Sequence, residues 1–152
     1  MIAESYPFVV SSNQTQYFFQ SEGSKGKILK IVIFTHIIDD LWNLGFGDVD
    51  IKSGDIKSGD IDGSIVTNNQ DVAKVIGTVA KITHAFFADF PERSIEIKPV
   101  DERRGRLYNY VFQKHFKDIY PSFDVLGSIN RTEEPYNPNS FYDSFKLKLK
   151  LK

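Results

Sequence analysis

Hydrophobic and polar residues alternate along the first third of the chain, and this pattern predicts a series of β-strands. The predicted strands are, in chain order, Tyr6–Val10, Gln16–Gln20, Lys27–Thr35 and Leu41–Asp48. The third has the clearest strand pattern, because β-branched residues dominate it and a glycine-rich break precedes it. Short connections between consecutive strands favour antiparallel pairing.

The pattern then changes to the period of an α-helix. Apolar residues recur at intervals of three and four from Asn68 to Phe90. Thr67 and Gln70 have the spacing of a capping box, and Pro91 is expected to end the helix. A second helix is predicted over Gly105–Tyr120, which is also followed by a proline.

Strands are predicted on both sides of the second helix. They are Ser94–Val100 before it and Phe123–Ile129 and Phe145–Leu151 after it, with a loop at Arg131–Asn139. In the last strand lysines alternate with leucines, which favours an edge strand protected from aggregation, although the lysines could also bind an anionic surface. The order ββββαβαββ predicts an α+β fold with a mostly antiparallel sheet of about six to seven strands, covered by one long and one shorter helix. We expect a single domain over residues 1–152.

An acidic segment with a short duplication precedes the first helix. Eight aspartates and two lysines lie between Asp39 and Asp71, and IKSGD occurs twice, at Ile51–Asp55 and Ile56–Asp60. A five-residue repeat is far shorter than a solenoid unit, which has about 20 residues or more. We therefore expect an exposed acidic hairpin loop at about residues 48–66, since loops tolerate insertions. The ligand spacing of an EF-hand is absent, so no metal site is predicted there.

Composition mainly excludes classes of function. The 152 residues include 19 Lys and Arg against 20 Asp and Glu, so any affinity for nucleic acid requires local segregation of charge. There is no cysteine, which excludes disulfides and thiolate chemistry. The three histidines lack the spacing of metal ligands, and the sequence has no phosphate-loop or serine-hydrolase motif. We therefore predict no cofactor. Whether the protein is an enzyme is left open. The first residues contain neither a signal peptide nor a membrane span, so a cytoplasmic protein without a membrane partner is expected.

The strongest candidate for a binding site is the basic segment Arg103–Lys117, which contains three arginines, two lysines and no acid. The candidate residues for binding an anion or nucleic acid are Arg103, Arg104, Arg106, Tyr108, Lys114 and His115. A helix that starts near Gly105 would add backbone N–H groups that favour anions, and the guanidinium fork binds phosphate through two N–H groups.

Two interpretations of this segment remain open. Intervals of four and seven residues would place Arg104, Tyr108 and His115 on one helix face, as a phosphate-binding surface with an aromatic ring requires. Alternatively, the arginines pair with acids such as Asp101 and Glu102, and the segment is a solvated face of the protein.

Several segments resemble an uncharacterised family of small bacterial proteins, a domain of unknown function. The matching segments are Ser21–Thr35, Asn43–Asp50, Thr67–Phe87 and RRGRLY at Arg103–Tyr108, where the family has an RTRLY-like stretch. This resemblance covers nearly the whole chain and implies no activity. A second likeness is topological and concerns the later half of acyl-CoA N-acetyltransferases. Those enzymes bind pyrophosphate at the start of the long helix, where this chain has Asp62–Gln70 without a basic residue.

Three hypotheses about function follow. The first is a toxin–antitoxin-like component that binds RNA or another phosphate-bearing partner through the arginine-rich start of the second helix. The second is a non-enzymatic module that binds another protein, and the third is a degenerate acyltransferase-like domain. Nucleic-acid binding should weaken steeply as the salt concentration rises, which distinguishes the first hypothesis from the second.

Overall fold

The computed structural model describes residues 4–24, 26–49, 71–99, 101–119 and 121–150. Within these ranges the fold is α+β, with two helices and one mostly antiparallel sheet of eight strands. The strands are β1 (Phe8–Val10), β2 (Gln16–Gly23), β3 (Gly26–Ile38), β4 (Leu41–Asp48), β5 (Ser94–Ile97), β6 (Phe123–Ile129), β7 (Thr132–Pro135) and β8 (Ser144–Leu149). The helices are α1 (Val72–Asp89) and α2 (Glu102–Ile119).

The strand order in the sheet is β1-β2-β3-β4-β5-β8-β6-β7. β4 and β5 pair in parallel, with Trp42 opposite Ile95. A parallel pair needs a long crossover connection, and α1 lies between these two strands in the chain. The pairs β1–β2, β2–β3, β5–β8, β6–β8 and β6–β7 are antiparallel. The predicted α+β class and the mostly antiparallel sheet are confirmed, with a higher strand count than expected.

The additional strand is β7, which lies inside the predicted loop Arg131–Asn139. All four residues of β7 are exposed, so no alternation of buried and exposed positions marks it in the sequence. It pairs with β6 across a two-residue turn, in which Asn130 and Arg131 adopt φ angles of 49° and 67°. Two consecutive positive φ angles give the type I′ turn that suits a tight hairpin, although arginine rarely supplies one.

The lysine–leucine segment forms an interior strand, not the predicted edge strand. β8 lies between β5 and β6 and is hydrogen-bonded to both. Its Phe145 and Leu147 are buried, whereas Lys146 forms an ion pair with Glu133 at 2.7 Å between Nζ and Oε2. The alternation therefore reflects the two faces of the sheet, one covered and the other accessible.

Two predictions about the middle of the chain concern residues outside the described ranges. Apart from Asp48 and Val49, the predicted hairpin loop at residues 48–66 and its duplicated IKSGD lie there, as does the capping box at Thr67 and Gln70. α1 is described from Val72, within the predicted helix Asn68–Phe90.

The chain forms two compact units. The amino-terminal unit contains Ile2–Thr35 and Gly45–Asp89, and the carboxy-terminal unit contains His36–Leu44 and Phe90–Lys152. β3 and β4 each contribute residues to both units. A single domain over the whole chain stays a prediction.

In the amino-terminal unit, α1 packs an apolar face against the sheet. Val75, Ile82 and Phe86 are buried at helical spacing. The Phe86 ring stacks on Phe34 of β3, with 3.9 Å between the ring centroids and 11° between the planes. Phe86 is 0% exposed, so its burial is complete.

Several polar groups that are buried in the same unit pair with one another. Lys30 is 1% exposed, and its Nζ lies 2.8 Å from Oδ1 of Asp48. The Tyr6 hydroxyl donates to Oδ2 of Asp71 at 2.7 Å, and Ser21 donates to the same oxygen. Burial and this hydrogen bond to Asp71 both raise the pKa of Tyr6 above its ordinary value. Because Lys30 is paired with Asp48 and the Asp71 carboxylate accepts two hydroxyl hydrogen bonds, we assign these contacts a structural role.

In the carboxy-terminal unit, α2 packs an aromatic face on the sheet. The rings of Phe112 and Phe145 are stacked with their centroids 4.2 Å apart and their planes at 14°. Tyr136 contacts both rings, at centroid distances of 6.0 Å from Phe112 and 6.2 Å from Phe145. This cluster determines which face of α2 is turned towards solvent.

We expect Phe86→Ala to lower the free energy of unfolding by about 3–5 kcal/mol, because it removes a fully buried ring and leaves a cavity. Lys81→Ala is the matched control, since Lys81 is exposed on the same helix and its loss should change stability by at most about 0.5 kcal/mol. Urea denaturation of both variants measures the difference. Equal stabilities for the two variants would contradict the packing of α1.

Candidate nucleic-acid interface

The start of α2 is capped by the chain itself. The helix begins at Glu102, and not near Gly105 as predicted. Oδ1 of Asp101 accepts a hydrogen bond from the Arg104 backbone N–H at 2.8 Å, which is the role of an N-cap carboxylate. Glu102 adds a second negative charge in the first turn. The Asp101 carboxylate therefore occupies the position at the helix start where an external anion was expected to bind.

Three of the predicted site residues share one helix face, but that face is turned towards the protein. Arg104 is 4% exposed, and its Nε lies 3.9 Å from Oδ2 of Asp101. Tyr108 and His115 are half-buried. Burial, and then the charge of Lys114, lower the pKa of His115, while the charge of Asp118 opposes them. The lowered pKa favours the neutral imidazole, so His115 contributes less positive charge than an unperturbed histidine would.

The other three predicted residues lie on the opposite, exposed face of α2, in what we call the basic stripe. The basic stripe consists of Arg103, Arg106, Tyr110, Lys114 and Lys117, all of which are exposed. They follow one another at intervals of three and four residues, so they share a face about 21 Å long at 1.5 Å per residue. Tyr110 and Lys117 belong to the predicted basic segment, but intervals counted from Arg104 do not place them on its helix face. The same count from Arg103 finds all five.

The charged side chains Arg106 and Lys114 of this stripe make only weak contacts with neighbouring groups. The Arg106 side chain is 65% exposed, and its Nη1 lies 4.0 Å from Oε2 of Glu102, a side chain that is 97% exposed. An exposed pair at this distance contributes little. Lys114 lies over the Tyr110 ring, with Nζ 5.5 Å from the ring centroid. The stripe thus presents four positive charges and one aromatic ring to solvent.

An open pocket of about 430 Å³ adjoins the stripe. α2 contributes Arg106, Asn109, Tyr110 and Gln113 to it, and the loop before β8 contributes Pro138, Asn139, Ser140 and Phe141. Tyr110 and Phe141 are 55% and 58% exposed, so two large rings at this pocket are open to water. Clustered exposed rings are typical of a binding surface.

One buried amide attaches this loop to the helix. Asn109 is 8% exposed, and its Nδ2 donates to the carbonyl oxygens of Gly105 at 2.8 Å and Tyr142 at 2.9 Å. Its Oδ1 accepts from the Tyr142 backbone N–H at 2.7 Å. The carboxamide therefore pairs with both backbone groups of Tyr142, as a neighbouring strand would. We call this set of hydrogen bonds the amide clamp.

The Tyr142 side chain attaches the same loop to the sheet. Its ring is fully buried, and a Cβ atom on Gly127 of β6 would lie 2.3 Å from Tyr142 Cδ1. The hydroxyl donates to Oε2 of Glu134 at 2.7 Å and accepts from the Asn137 N–H at 2.9 Å. Burial and the hydrogen bond to Glu134 raise the pKa of Tyr142. The loop that forms one wall of the pocket is thereby attached to α2 on one side and to the sheet on the other.

Two further features, a membrane-spanning helix and a group of metal ligands, are absent from the described residues. In these ranges neither helix has the length and apolar character needed to cross a bilayer. The same part of the chain groups no three histidine or carboxylate side chains as metal ligands.

These features define an α+β protein whose second helix carries a basic and aromatic outer face beside an open pocket. The chain belongs to DUF6934, a family of unknown function, whose model matches residues 3–150. This match confirms the resemblance to a domain of unknown function. No curated protein and no solved structure matches the chain.

We expect Gly127→Ala to destabilise the protein by about 2–3 kcal/mol or more, because the new methyl group would overlap the Tyr142 ring. Gly105→Ala is the matched control, since its Cβ would lie 3.8 Å from Pro99 Cγ, an ordinary contact. Gly105 is helical, so this change should stabilise by up to about 1 kcal/mol. Urea denaturation measures both, and a tolerated Gly127→Ala would contradict the position of Tyr142.

We expect Asn109→Ala to lower the free energy of unfolding by about 2–4 kcal/mol, because it leaves the N–H and C=O of Tyr142 buried without the amide. Gln113→Ala removes an exposed amide one turn further along the helix and should cost less than about 1 kcal/mol. Thermal unfolding of the pair checks this difference. Similar melting temperatures for the two variants would exclude the amide clamp.

Proposed function

We propose that this protein binds RNA through the basic stripe, as a toxin–antitoxin-like component would. The observation that supports the proposal is the alignment of Arg103, Arg106, Tyr110, Lys114 and Lys117 on one exposed helix face. The chain as a whole has a formal net charge of −1, so this concentration of positive charge is local. A local positive field attracts a polyanion irrespective of the net charge of the protein.

Contacts between the basic stripe and the RNA phosphates would contribute favourable binding free energy. Each arginine or lysine that neutralises a phosphate releases a bound counterion from the nucleic acid, which makes the affinity depend steeply on salt. The two arginines offer guanidinium forks that match phosphate geometry, and the exposed Tyr110 ring adds a surface for stacking a base. An acidic protein partner would use the charges but would gain less from the ring.

A protein partner is the second candidate, and a different surface favours it. Within the described residues, β1 is the first strand of the sheet and has one neighbouring strand, β2. Val9 and Val10 of β1 are 67% and 48% exposed. An edge strand with exposed apolar side chains can add a strand from another chain. Such an association would depend much less on salt than RNA binding.

The proposal is tested by charge reversal on the stripe. We expect Arg106→Glu and Lys114→Glu each to weaken binding to a fluorescent single-stranded RNA oligonucleotide about tenfold at low salt. The slope of log K against log salt should become less steep by about 0.7 for each phosphate that the variant no longer neutralises. Fluorescence anisotropy over a salt series gives both quantities.

Lys81→Glu is the matched control, because it makes the same change of charge at an exposed helical lysine outside the stripe. It should leave the affinity within about twofold of the wild type, a difference below about 0.5 kcal/mol. Melting temperatures are measured first, so that loss of folding is not taken for loss of binding. If the wild type shows no salt-dependent binding, or if Arg106→Glu and Lys81→Glu bind alike, the proposal is wrong.

A further inference from the structure

The pocket beside the basic stripe offers a place for a ligand group that the charges of the stripe do not contact. We propose that it holds an unpaired base between Tyr110 and Phe141, so that the protein binds single-stranded in preference to double-stranded RNA. This inference rests on the proposed function, because the stripe must first hold the phosphates. It goes further by naming a second element of recognition that charge does not provide.

Two exposed aromatic rings line the pocket. Tyr110 and Phe141 line the same pocket and are both more than half exposed. Ring faces that are open to solvent offer bases a stacking surface whatever their sequence. Tyr110 also belongs to the stripe, so a strand whose phosphates follow the stripe has its bases within reach of this ring.

Both walls of the pocket are held in place by the fold. Its α2 wall is part of a helix, and its loop wall is held by the amide clamp and by the buried Tyr142 ring. A pocket that is formed before binding avoids the entropic cost of ordering a loop around the ligand. Phe141 directly precedes Tyr142, so its backbone is held next to the clamp.

Polar groups in the pocket suit the edge of a base. Gln113 and Asn139 both line it and are exposed. The Gln113 Nε2 donates to the Pro138 carbonyl at 3.2 Å, which fixes the orientation of the side chain and leaves Oε1 as an acceptor. Amide groups at this position can pair with the hydrogen-bonding edge of an unstacked base.

Duplex RNA would not place a base in this pocket. In an A-form helix the bases are stacked and paired, so their faces are covered and only groove edges and phosphates are accessible. A duplex could therefore contact the stripe while leaving both rings exposed. A single strand places its phosphates on the stripe and a base in the pocket, and it gains from both.

The experiment compares three probes at one salt concentration: a single-stranded RNA 12-mer, the same strand annealed to its complement, and inorganic polyphosphate, which has phosphates but no bases. We expect the wild-type protein to bind the single strand most tightly. Tyr110→Ala and Phe141→Ala should each weaken single-strand binding roughly 5- to 150-fold, the range for loss of one base–aromatic stack. Their binding to polyphosphate should stay within about twofold of the wild type.

Tyr110→Phe is the matched control, because it keeps the ring and should retain single-strand binding. A single strand carrying 2-aminopurine should lose fluorescence on binding to the wild type and to Tyr110→Phe, but not to Tyr110→Ala. Both rings are exposed, so folding should be unaffected, which melting temperatures check.

The outcomes separate this inference from the proposed function. If all three probes bind with equal affinity and the alanine variants behave like the wild type, the base pocket is excluded while binding through the stripe stands. If duplex binds more tightly than the single strand, the base pocket is likewise excluded. If none of the three probes binds, both the proposed function and the base pocket are wrong.

Discussion

The candidate interface depends on the hydrogen bonds between one side-chain amide and one backbone. Asn109 contacts both polar groups of Tyr142 from a buried position on α2. This contact turns the inner face of the helix towards the protein and brings the loop at Pro138–Phe141 to the side of the helix. Stacking of Phe112 on Phe145 acts in the same direction. With the inner face fixed in this way, the residues on the outer face are left to solvent.

Two exposed aromatic rings are a cost that the fold does not require. Tyr110 and Phe141 expose more than half of their surface, although the carboxy-terminal unit buries other rings, such as Tyr142 and Phe145, almost completely. Exposed apolar area favours association, and net charge near zero does little to oppose it. The stability of the carboxy-terminal unit therefore does not come from these two rings, which lie in water next to arginine and lysine.

Much of the fold could be read from the sequence, and the failures have physical causes. β4 and β6 were predicted with the observed bounds because large and small side chains alternate in β4, and buried and more accessible positions alternate in β6. β7 has four exposed residues, and only backbone pairing to β6 makes it a strand. β8 has the pattern of a strand with one accessible face, but a pattern does not reveal how many neighbours a strand has.

The exposed basic face of α2 was predictable in composition but not in orientation. Arg103, Arg106 and Lys114 were found from local charge alone, since no acid interrupts the segment. The inner and outer faces were exchanged because burial of an arginine such as Arg104 is rare, and the sequence does not mark it. The pocket depends on a contact between residues 33 positions apart, and a single sequence carries no signal for such a pair.

The place of β8 in the sheet has a consequence for how the protein is made. β5 and β6 are both translated before the strand that lies between them, and Ser144 follows Ile97 by 47 residues. At about 5–20 residues per second, a ribosome needs roughly 2–9 s to cover that distance. Until β8 is made, the edge of β5 that it covers lacks this partner, and the same holds for β6 from the time that Ile129 is added. A strand edge without its partner can pair with another chain, so the synthesis of the lysine–leucine strand also removes a site of aggregation.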